Sequence, residues 1–236
     1  MRRSLTIVAA AAVVLAVTAG TIGVAGAHRG RPHLTRPVHV EATFAYLDGS
    51  TRLFVGDRGE ITAVDATSLT VLRADEVSVT VTLSNSTCIR VDGEPATWED
   101  LTVGEPAGVL SAPNSANGLS ALVVRSGHPW FKPDRDRCGL FEGAYHADGT
   151  ATLKDGSTKD YAWDRGRISG IAPRRLRIER LDGANVTAQV NRHTLVLGVR
   201  SYRNLNLGEP VWMISEKVGG DPDDLLAKII RRIRRR

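Results

Sequence analysis

Aromatic residues are scarce in this chain, which has four Trp, four Tyr and four Phe among 236 residues. A core built with so few of them must depend mainly on Val, Leu and Ile. The scarcity also argues against the rows of exposed rings on which single-stranded nucleic acids stack. We therefore expect small domains with aliphatic cores and no nucleic-acid partner.

An excess of positive charge is missing from the body of the chain, although the net charge is +5. Arg2 and Arg3 account for two of these charges. Residues 221–236 hold six basic and three acidic residues and account for the other three. Residues 28–220 are therefore neutral as a whole, whereas nucleic-acid-binding proteins usually spread basic charge over a folded surface.

Cysteine is limited to Cys88 and Cys138. One pair cannot form a disulfide-dense scaffold, and the spacing is not that of zinc ligands. A structural disulfide and two inert thiols are both compatible with the sequence. We predict that the two residues pair and fasten the segment between the repeats to the first repeat.

Several catalytic motifs are also missing from the sequence. It contains no Gly-x-Ser-x-Gly, no phosphate-binding Walker loop, no His-Glu-x-x-His and no Ser-x-x-Lys. The acidic residues Asp134, Asp136 and Asp148 lack the close, regular spacing of a calcium loop. We expect no cofactor and no metal centre of a common type.

The N-terminus has the pattern of a secretory signal peptide over residues 1–27. Two arginines precede an apolar stretch that ends in the small residues Ala25-Gly26-Ala27. An uncleaved membrane anchor is the alternative, because the stretch is long enough to span a bilayer. Its richness in Ala, Gly and Thr favours cleavage. The sequence therefore predicts a secreted or cell-envelope protein.

An internal repeat organises the remainder. Residues 42–61 and 149–168 are identical at nine of twenty positions, and residues 101–111 and 205–215 at five of eleven. The matches are collinear, with offsets of 107 and 104, so they indicate a duplication. We divide the chain into signal peptide, unstructured leader, first repeat, linker, second repeat and tail, over 1–27, 28–41, 42–127, 128–148, 149–218 and 219–236.

Each repeat has the pattern of short antiparallel strands. Val77, Val79, Val81 and Leu83 alternate with polar residues, which places one face in a core. Turn signals separate such runs, and the Asp-Gly-Ser-Thr sequences at 48–51 and 155–158 are best interpreted as hairpin turns. The predicted fold is all-β, with two tandem OB-like barrels that leave few exposed edges.

The tail predicts an amphipathic helix from about Pro222 to about Arg234. Asp221 is a suitable N-cap, and Leu225, Ile229 and Ile233 recur at helical spacing. No counterpart of the strand at 119–125 is expected in the second repeat. The apolar stripe could pack on the second repeat, where the missing strand would leave an opening. The basic residues could also bind an anionic membrane surface or an acidic wall polymer; they are Lys228, Arg231, Arg232, Arg234, Arg235 and Arg236.

The repeats resemble a family of exported bacterial β-barrel domains of unknown function, common in secreted proteins of actinobacteria. The resemblance depends on Asp-Arg-Gly-x-Ile at 57–61, the strand pair that follows it, Thr87–Val91 and Val-Gly-Glu-Pro at 103–106. It covers most of 57–126 and, more loosely, 164–216. It implies a barrel and export, and it supplies no catalytic residues.

Two local patterns offer sharper alternatives. The string Asn85–Arg90 is similar to the cysteine motif of the wall-crosslinking L,D-transpeptidases, but Asn85 and Thr87 replace the expected Ser and Gly. Cleavage after Ala27 would leave His28 at the N-terminus, where its amine and imidazole could chelate copper with His33 or His39. The other histidines, at 128, 146 and 193, are expected at the surface or in turns.

The sequence therefore favours a non-catalytic exported module with a binding or structural role in the cell envelope or medium. A secreted copper-binding protein and an envelope-modifying enzyme are the alternatives.

Mass spectrometry of the secreted protein tests the premise of export and of copper binding together. We expect the mature chain to begin at His28, because the small residues before it fit a signal peptidase. A mature chain that keeps residues 1–27 would favour the membrane anchor, and any other first residue would remove the copper hypothesis.

Overall fold

The computed structural model describes residues 37–127, 140–219 and 224–233. The protein is all-β, as predicted, and fifteen strands join in one sheet. In chain order the strands are β1 (Pro37–Tyr46), β2 (Thr51–Val64), β3 (Ser68–Arg73), β4 (Ser78–Thr82), β5 (Cys88–Val91), β6 (Glu94–Ala96), β7 (Pro106–Pro113), β8 (Leu119–Ser126), β9 (Ala144–Leu153), β10 (Thr158–Ala172), β11 (Arg175–Arg180), β12 (Asn185–Gln189), β13 (Leu195–Leu197), β14 (Pro210–Lys217) and β15 (Leu225–Arg232).

The strands of the two halves pair in the same way. In the first half, β2, β3, β4, β8 and β7 pair in a circuit that returns to β2. In the second half, β10, β11, β12, β15 and β14 pair in the corresponding circuit. The link that closes each circuit is short, a single residue pair between β4 and β8 and two pairs between β12 and β15.

The two halves meet through their first strands. β1 and β9 pair antiparallel about Ala42 and Gly149, which occupy equivalent positions 107 residues apart. The pairing is symmetric, since His39 lies opposite Thr152 and its counterpart His146 lies opposite Ala45. β1 thus begins inside the predicted leader and β9 inside the predicted linker, because both segments are needed to join the halves.

Three hydrophobic clusters follow from this arrangement. One lies within each half, built mainly from aliphatic side chains such as Ile61 and Val109 in the first and Leu176 and Met213 in the second. The third lies between the halves and draws on both. It contains six of the twelve aromatic residues, and these are Phe44, Tyr46, Phe54, Phe141, Trp163 and Trp212.

The predicted C-terminal helix was wrong, because residues 225–232 form β15. This strand pairs antiparallel with β14 and parallel with β12 and β13. It is the counterpart of β8, which the sequence analysis expected the second half to lack. Leu225, Ala227 and Ile229 are buried at a spacing of two residues, so the segment satisfies a strand pattern as well as a helical one.

The Asp-Gly-Ser-Thr segments are hairpin turns, as predicted. Asp48 accepts hydrogen bonds from the backbone nitrogen and the hydroxyl of Ser50 at 2.9 and 2.6 Å. Asp155 and Ser157 repeat this geometry at 3.0 and 2.6 Å. The glycine between them has a φ of 81° in the first turn and 79° in the second, a conformation that favours glycine.

Within the described ranges, no helix is long and apolar enough to cross a membrane. The predicted signal peptide at residues 1–27 lies outside the described residues.

The glycine of each Asp-Arg-Gly sequence should be essential to the fold. A Cβ on Gly59 would lie 2.0 Å from the carbonyl oxygen of Leu72, and one on Gly166 would lie 2.1 Å from that of Glu179. We expect Gly59→Ala and Gly166→Ala each to lower the free energy of unfolding by about 1–3 kcal/mol, as overpacking does. Urea denaturation measures the change.

Gly118→Ala is the matched control, since its Cβ would come no closer than 3.4 Å to the flexible side chain of Asn114. Its effect should stay within about 0.5 kcal/mol. Equal losses in all three variants would contradict the steric explanation.

Candidate functional site: two equivalent His–Asp–Arg clusters

Each half contains a buried aspartate at the point where its longest strand changes partner. Asp57 lies on β2 and Asp164 on β10, and each is 1% exposed. Asp57 is the cross-strand partner of His39, and Asp164 is that of His146. Two residues further on, the glycine described above lets the next strand approach, which brings an arginine to the aspartate.

The first cluster consists of His39, Glu41, Asp57, Arg73 and Asp75. His39 Nδ1 lies 2.8 Å from Asp57 Oδ1, and Arg73 Nη1 donates to the same oxygen at 3.1 Å. Arg73 is held in turn by Asp75, which accepts from Nε at 2.9 Å and also from Nη2. His39 Nε2 lies 3.3 Å from Glu41 Oε1. The cluster therefore links β1, β2 and the end of β3.

The second cluster repeats this arrangement with His146, Asp148, Asp164, Arg180 and Asp182. His146 Nδ1 lies 2.8 Å from Asp164 Oδ1, and Arg180 Nη1 lies 3.4 Å from it. Asp182 accepts from Arg180 Nε at 3.1 Å and from Nη2 at 2.7 Å. His146 Nε2 lies 3.1 Å from Asp148, which also pairs with Lys217 at 2.8 Å.

Both histidines have raised pKa values. The hydrogen bond to Asp57 is the largest cause of the raised pKa of His39. Burial alone would lower the pKa of His146, but hydrogen bonds to Asp148 and Asp164 outweigh it and raise the pKa to about 9. In return, the hydrogen bond from His146 holds the pKa of Asp148 well below its usual range.

Each His–Asp pair resembles part of a catalytic triad, but its surroundings are unsuited to general-base catalysis. A histidine oriented by a buried aspartate serves as a general base when it is neutral and its second nitrogen faces a nucleophile. Here the second nitrogen of each ring faces another carboxylate, and His146 with its pKa of about 9 carries a proton at neutral pH. The described residues also hold no group of three side chains that could ligate a metal ion.

One oxygen of each buried aspartate remains available as an acceptor. Asp57 Oδ2 and Asp164 Oδ2 are buried and have no hydrogen-bond partner among the described residues. The charge of each carboxylate is therefore balanced through Oδ1 alone, by one histidine and one arginine.

Cys88, which belongs to the predicted disulfide and to the transpeptidase-like motif, lies at the start of β5, opposite Val123 of β8. The residues before it form a tight turn, and Thr87 Oγ1 donates to the carbonyl oxygen of Ala121 at 2.9 Å. This turn explains the local sequence that is similar to the transpeptidase motif. Cys138 lies outside the described residues, so its pairing with Cys88 stays a prediction.

Of the three predicted copper ligands, the described residues include His39. His28 and His33 lie outside the described residues, and both ring nitrogens of His39 face carboxylates of the first cluster. His193 is exposed in a turn, as expected. The expectation that His146 is an isolated surface residue was wrong, because it is a member of the second cluster.

Two of the basic residues predicted to bind an anionic surface have partners inside the protein. Lys228 Nζ lies 2.6 Å from Glu216, and Arg232 Nη2 lies 2.7 Å from Glu209. Arg231 lies on the same strand and is partly exposed. Arg234, Arg235 and Arg236 lie outside the described residues.

Sequence reasoning missed both clusters, although the repeat contains a signal for them. At the offset of 107, His39 aligns with His146, Asp57 with Asp164, and Arg73 with Arg180. Asp75 and Asp182 align as well. Asp57 lies inside the matched block of residues 42–61, and extending the alignment on both sides would have added the other three positions.

No family model matches the chain, and no curated protein is similar to it. The resemblance to exported barrel domains therefore stays a prediction.

The clusters should make stability fall as the pH rises above neutrality. The folded pKa of His146 is about 9 against an ordinary value of 6.5, so its contribution is complete below the lower value and lost through the higher one. We expect a decrease of up to about 1.4 kcal/mol per pH unit over that interval. Urea denaturation between about pH 6 and about pH 10 measures it.

The variant with both His39→Gln and His146→Gln should lose most of this pH dependence. His193→Gln removes an exposed histidine outside the clusters and should preserve it. A flat profile in the unaltered protein would show that the clusters do not stabilise the fold through their protonated histidines.

Proposed function

We propose that the protein is an exported, non-catalytic module with a binding or structural role in the cell envelope or medium. The observation that supports this role most directly is the construction of the two clusters. Each histidine is held between carboxylates and each arginine between aspartates, across three strand segments. Such groups stabilise a scaffold, and the raised pKa of His146, about 9, is unsuited to a general base at neutral pH.

The proposed scaffold is a pair of small OB-like barrels. The pairing circuits support this proposal, because in both halves the strands follow the order first, second, third, fifth, fourth and back to the first. This order, with the third and fifth strands parallel, is that of a five-stranded Greek-key barrel. The resemblance to exported bacterial barrel domains is consistent with the same proposal.

Export is proposed from residues 1–27, whose arginines, apolar stretch and small residues follow the pattern of a signal peptide. Contact with an anionic membrane or wall polymer is proposed for the chain end. Because Lys228 and Arg232 are engaged in ion pairs, this contact would depend on Arg231 and on Arg234, Arg235 and Arg236.

Co-sedimentation with envelope fragments tests the proposed function. We expect the purified protein to sediment saturably with wall and membrane fragments and to leave their composition unchanged. Conversion of wall, glycan or peptide components that is lost in a folded Cys88→Ala or His146→Gln variant would identify an enzyme and overturn the proposal. Absence of any saturable binding would remove the binding role.

The contribution of the chain end needs a variant that keeps β15, since that strand closes the second circuit. Replacing Arg234, Arg235 and Arg236 by Gln removes three charges, each of which contributes about 1 kcal/mol near an anionic surface. The variant should leave anionic vesicles at lower salt than the unaltered protein. Identical salt profiles would exclude an electrostatic role for these residues.

A further inference from the structure

The exposed side of the second half carries an array of arginines that its fold does not require. Arg167 on β10 and Arg175 and Arg177 on β11 are exposed, while Leu176 and Ile178, which alternate with the arginines of β11, are fully buried. The neighbouring strand β12 exposes three polar residues beside them. We call the whole set the arginine face, and its members are Arg167, Arg175, Arg177, Asn185, Thr187 and Gln189.

These arginines have no carboxylate partner among the described residues. Arg175 and Arg177 form no ion pair there, and Arg167 donates only to the carbonyl oxygen of Gly208, at 3.0 Å. Arg180 on the same strand differs, because Asp164 and Asp182 hold its guanidinium. Two acidic residues border the face. Glu179 lies opposite Arg167, and Asp224 accepts a hydrogen bond from Gln189 Nε2 at 3.0 Å. The three arginines still leave the face with an excess of positive charge.

Small residues on β10 leave room for the guanidinium groups. Gly170 lies opposite Arg177 and Ala172 lies opposite Arg175. A Cβ on Gly170 would be 3.4 Å from Arg177 Cβ and 3.5 Å from its Nε. The side chain of Arg177 therefore lies beside Gly170, and Arg177 is exposed.

The first half provides an internal comparison. The equivalent positions are Glu60, Ser68 and Thr70, on strands with the same pairing and the same bulge. Thr70 forms a hydroxyl–hydroxyl hydrogen bond of 2.9 Å with Thr80 on the neighbouring strand. The same backbone thus accepts neutral or acidic residues where the second half has arginines, so the need to fold does not account for the arginine face.

We propose that the arginine face binds a linear envelope polymer in which phosphodiester groups join short polyol units. Guanidinium groups match phosphate oxygens with two parallel hydrogen bonds. Arg175 and Arg177 are two residues apart on a strand and hence about 6.7 Å apart, a distance that a short polyol between two phosphates can span. On β12, the hydroxyl of Thr187 and the amide of Asn185 are suited to polyol hydroxyl groups, whereas Gln189 Nε2 already donates to Asp224.

Single-stranded nucleic acid fits this face less well. The exposed positions of β10, β11 and β12 that form the face include no aromatic side chain on which bases could stack. The proposal rests on the proposed function in one respect, since export would bring the protein to such polymers. It adds a ligand class and a site that is separate from the basic chain end.

Titration of the purified protein with poly(glycerol phosphate) tests the proposal. The variant with Arg175→Ser and Arg177→Thr places the first half's own residues on the face. We expect it to bind at least about tenfold more weakly, since one charge-assisted hydrogen bond accounts for about that factor. The variant with Arg52→Ser and Lys154→Ser removes the same charge from the β1–β2 and β9–β10 hairpins and should keep the original affinity.

A gain of function gives an independent measurement. Ser68→Arg with Thr70→Arg places the arginines on the first half, and in the weakened variant it should restore salt-sensitive binding. Circular dichroism verifies that every variant is folded. Unchanged affinity after removal of Arg175 and Arg177, or equal weakening in the hairpin control, would overturn the proposal.

Binding measurements with other polyanions show which class of anionic ligand the arginine face prefers. Equal or tighter face-dependent binding of single-stranded DNA, polyglutamate or anionic vesicles would overturn the polymer assignment in favour of that ligand. If envelope fragments bind the Arg175→Ser, Arg177→Thr variant as tightly as the unaltered protein, the arginine face fails while the proposed function stands. If fragments bind neither protein, the proposed function fails.

Discussion

The antiparallel pairing of β1 with β9 is the constraint on which the rest of the structure depends. Its centre is Gly149, where a Cβ would lie 2.5 Å from the carbonyl oxygen of Glu41 and 2.8 Å from the Cβ of Ala42. The close approach aligns the buried sides of both strands over one core, and Phe44 contacts Phe54, Phe141 and Trp163 there with ring centroids 4.9 to 5.6 Å apart. Scarce aromatic residues are thus concentrated where two small units must adhere.

The two His–Asp–Arg clusters connect the β1–β9 pairing, which we call the joint, to the strand circuit of each half. β2 and β10 each pair first with a joint strand and then with a strand of their own circuit. A buried carboxylate at that transition is costly unless it is paired, and its histidine comes from the joint while its arginine comes from the circuit. The Asp-Arg-Gly sequence therefore has two structural roles, the aspartate binding both partners and the glycine allowing one of them to approach.

Local signals in the sequence were sufficient for the turns and the alternating strands. They failed at residues 225–232, where helix-capping signals before the segment and apolar spacing within it favoured a helix. The edge of β14 offered hydrogen bonds and a buried face to the same residues, and tertiary pairing overrode local propensity. The clusters were not predicted for a related reason. His39 and Asp57 are 18 residues apart, and the pairing of β1 with β2 is what brings them together.

The zero net charge of residues 28–220 does not show how charged side chains are distributed over the faces of the sheet. Net charge sums over residues 28–220, whereas a ligand meets only one face at a time. Residues that are identical in the two halves, such as Asp57 and Asp164 or Gly59 and Gly166, maintain the scaffold. They cannot give the first half and the second half different binding properties. Positions that differ, such as Ser68 and Arg175, lie on the exposed side, where substitution costs the fold little. The differences between the two halves therefore separate residues that maintain the shared strand pairing from residues that could contact a partner.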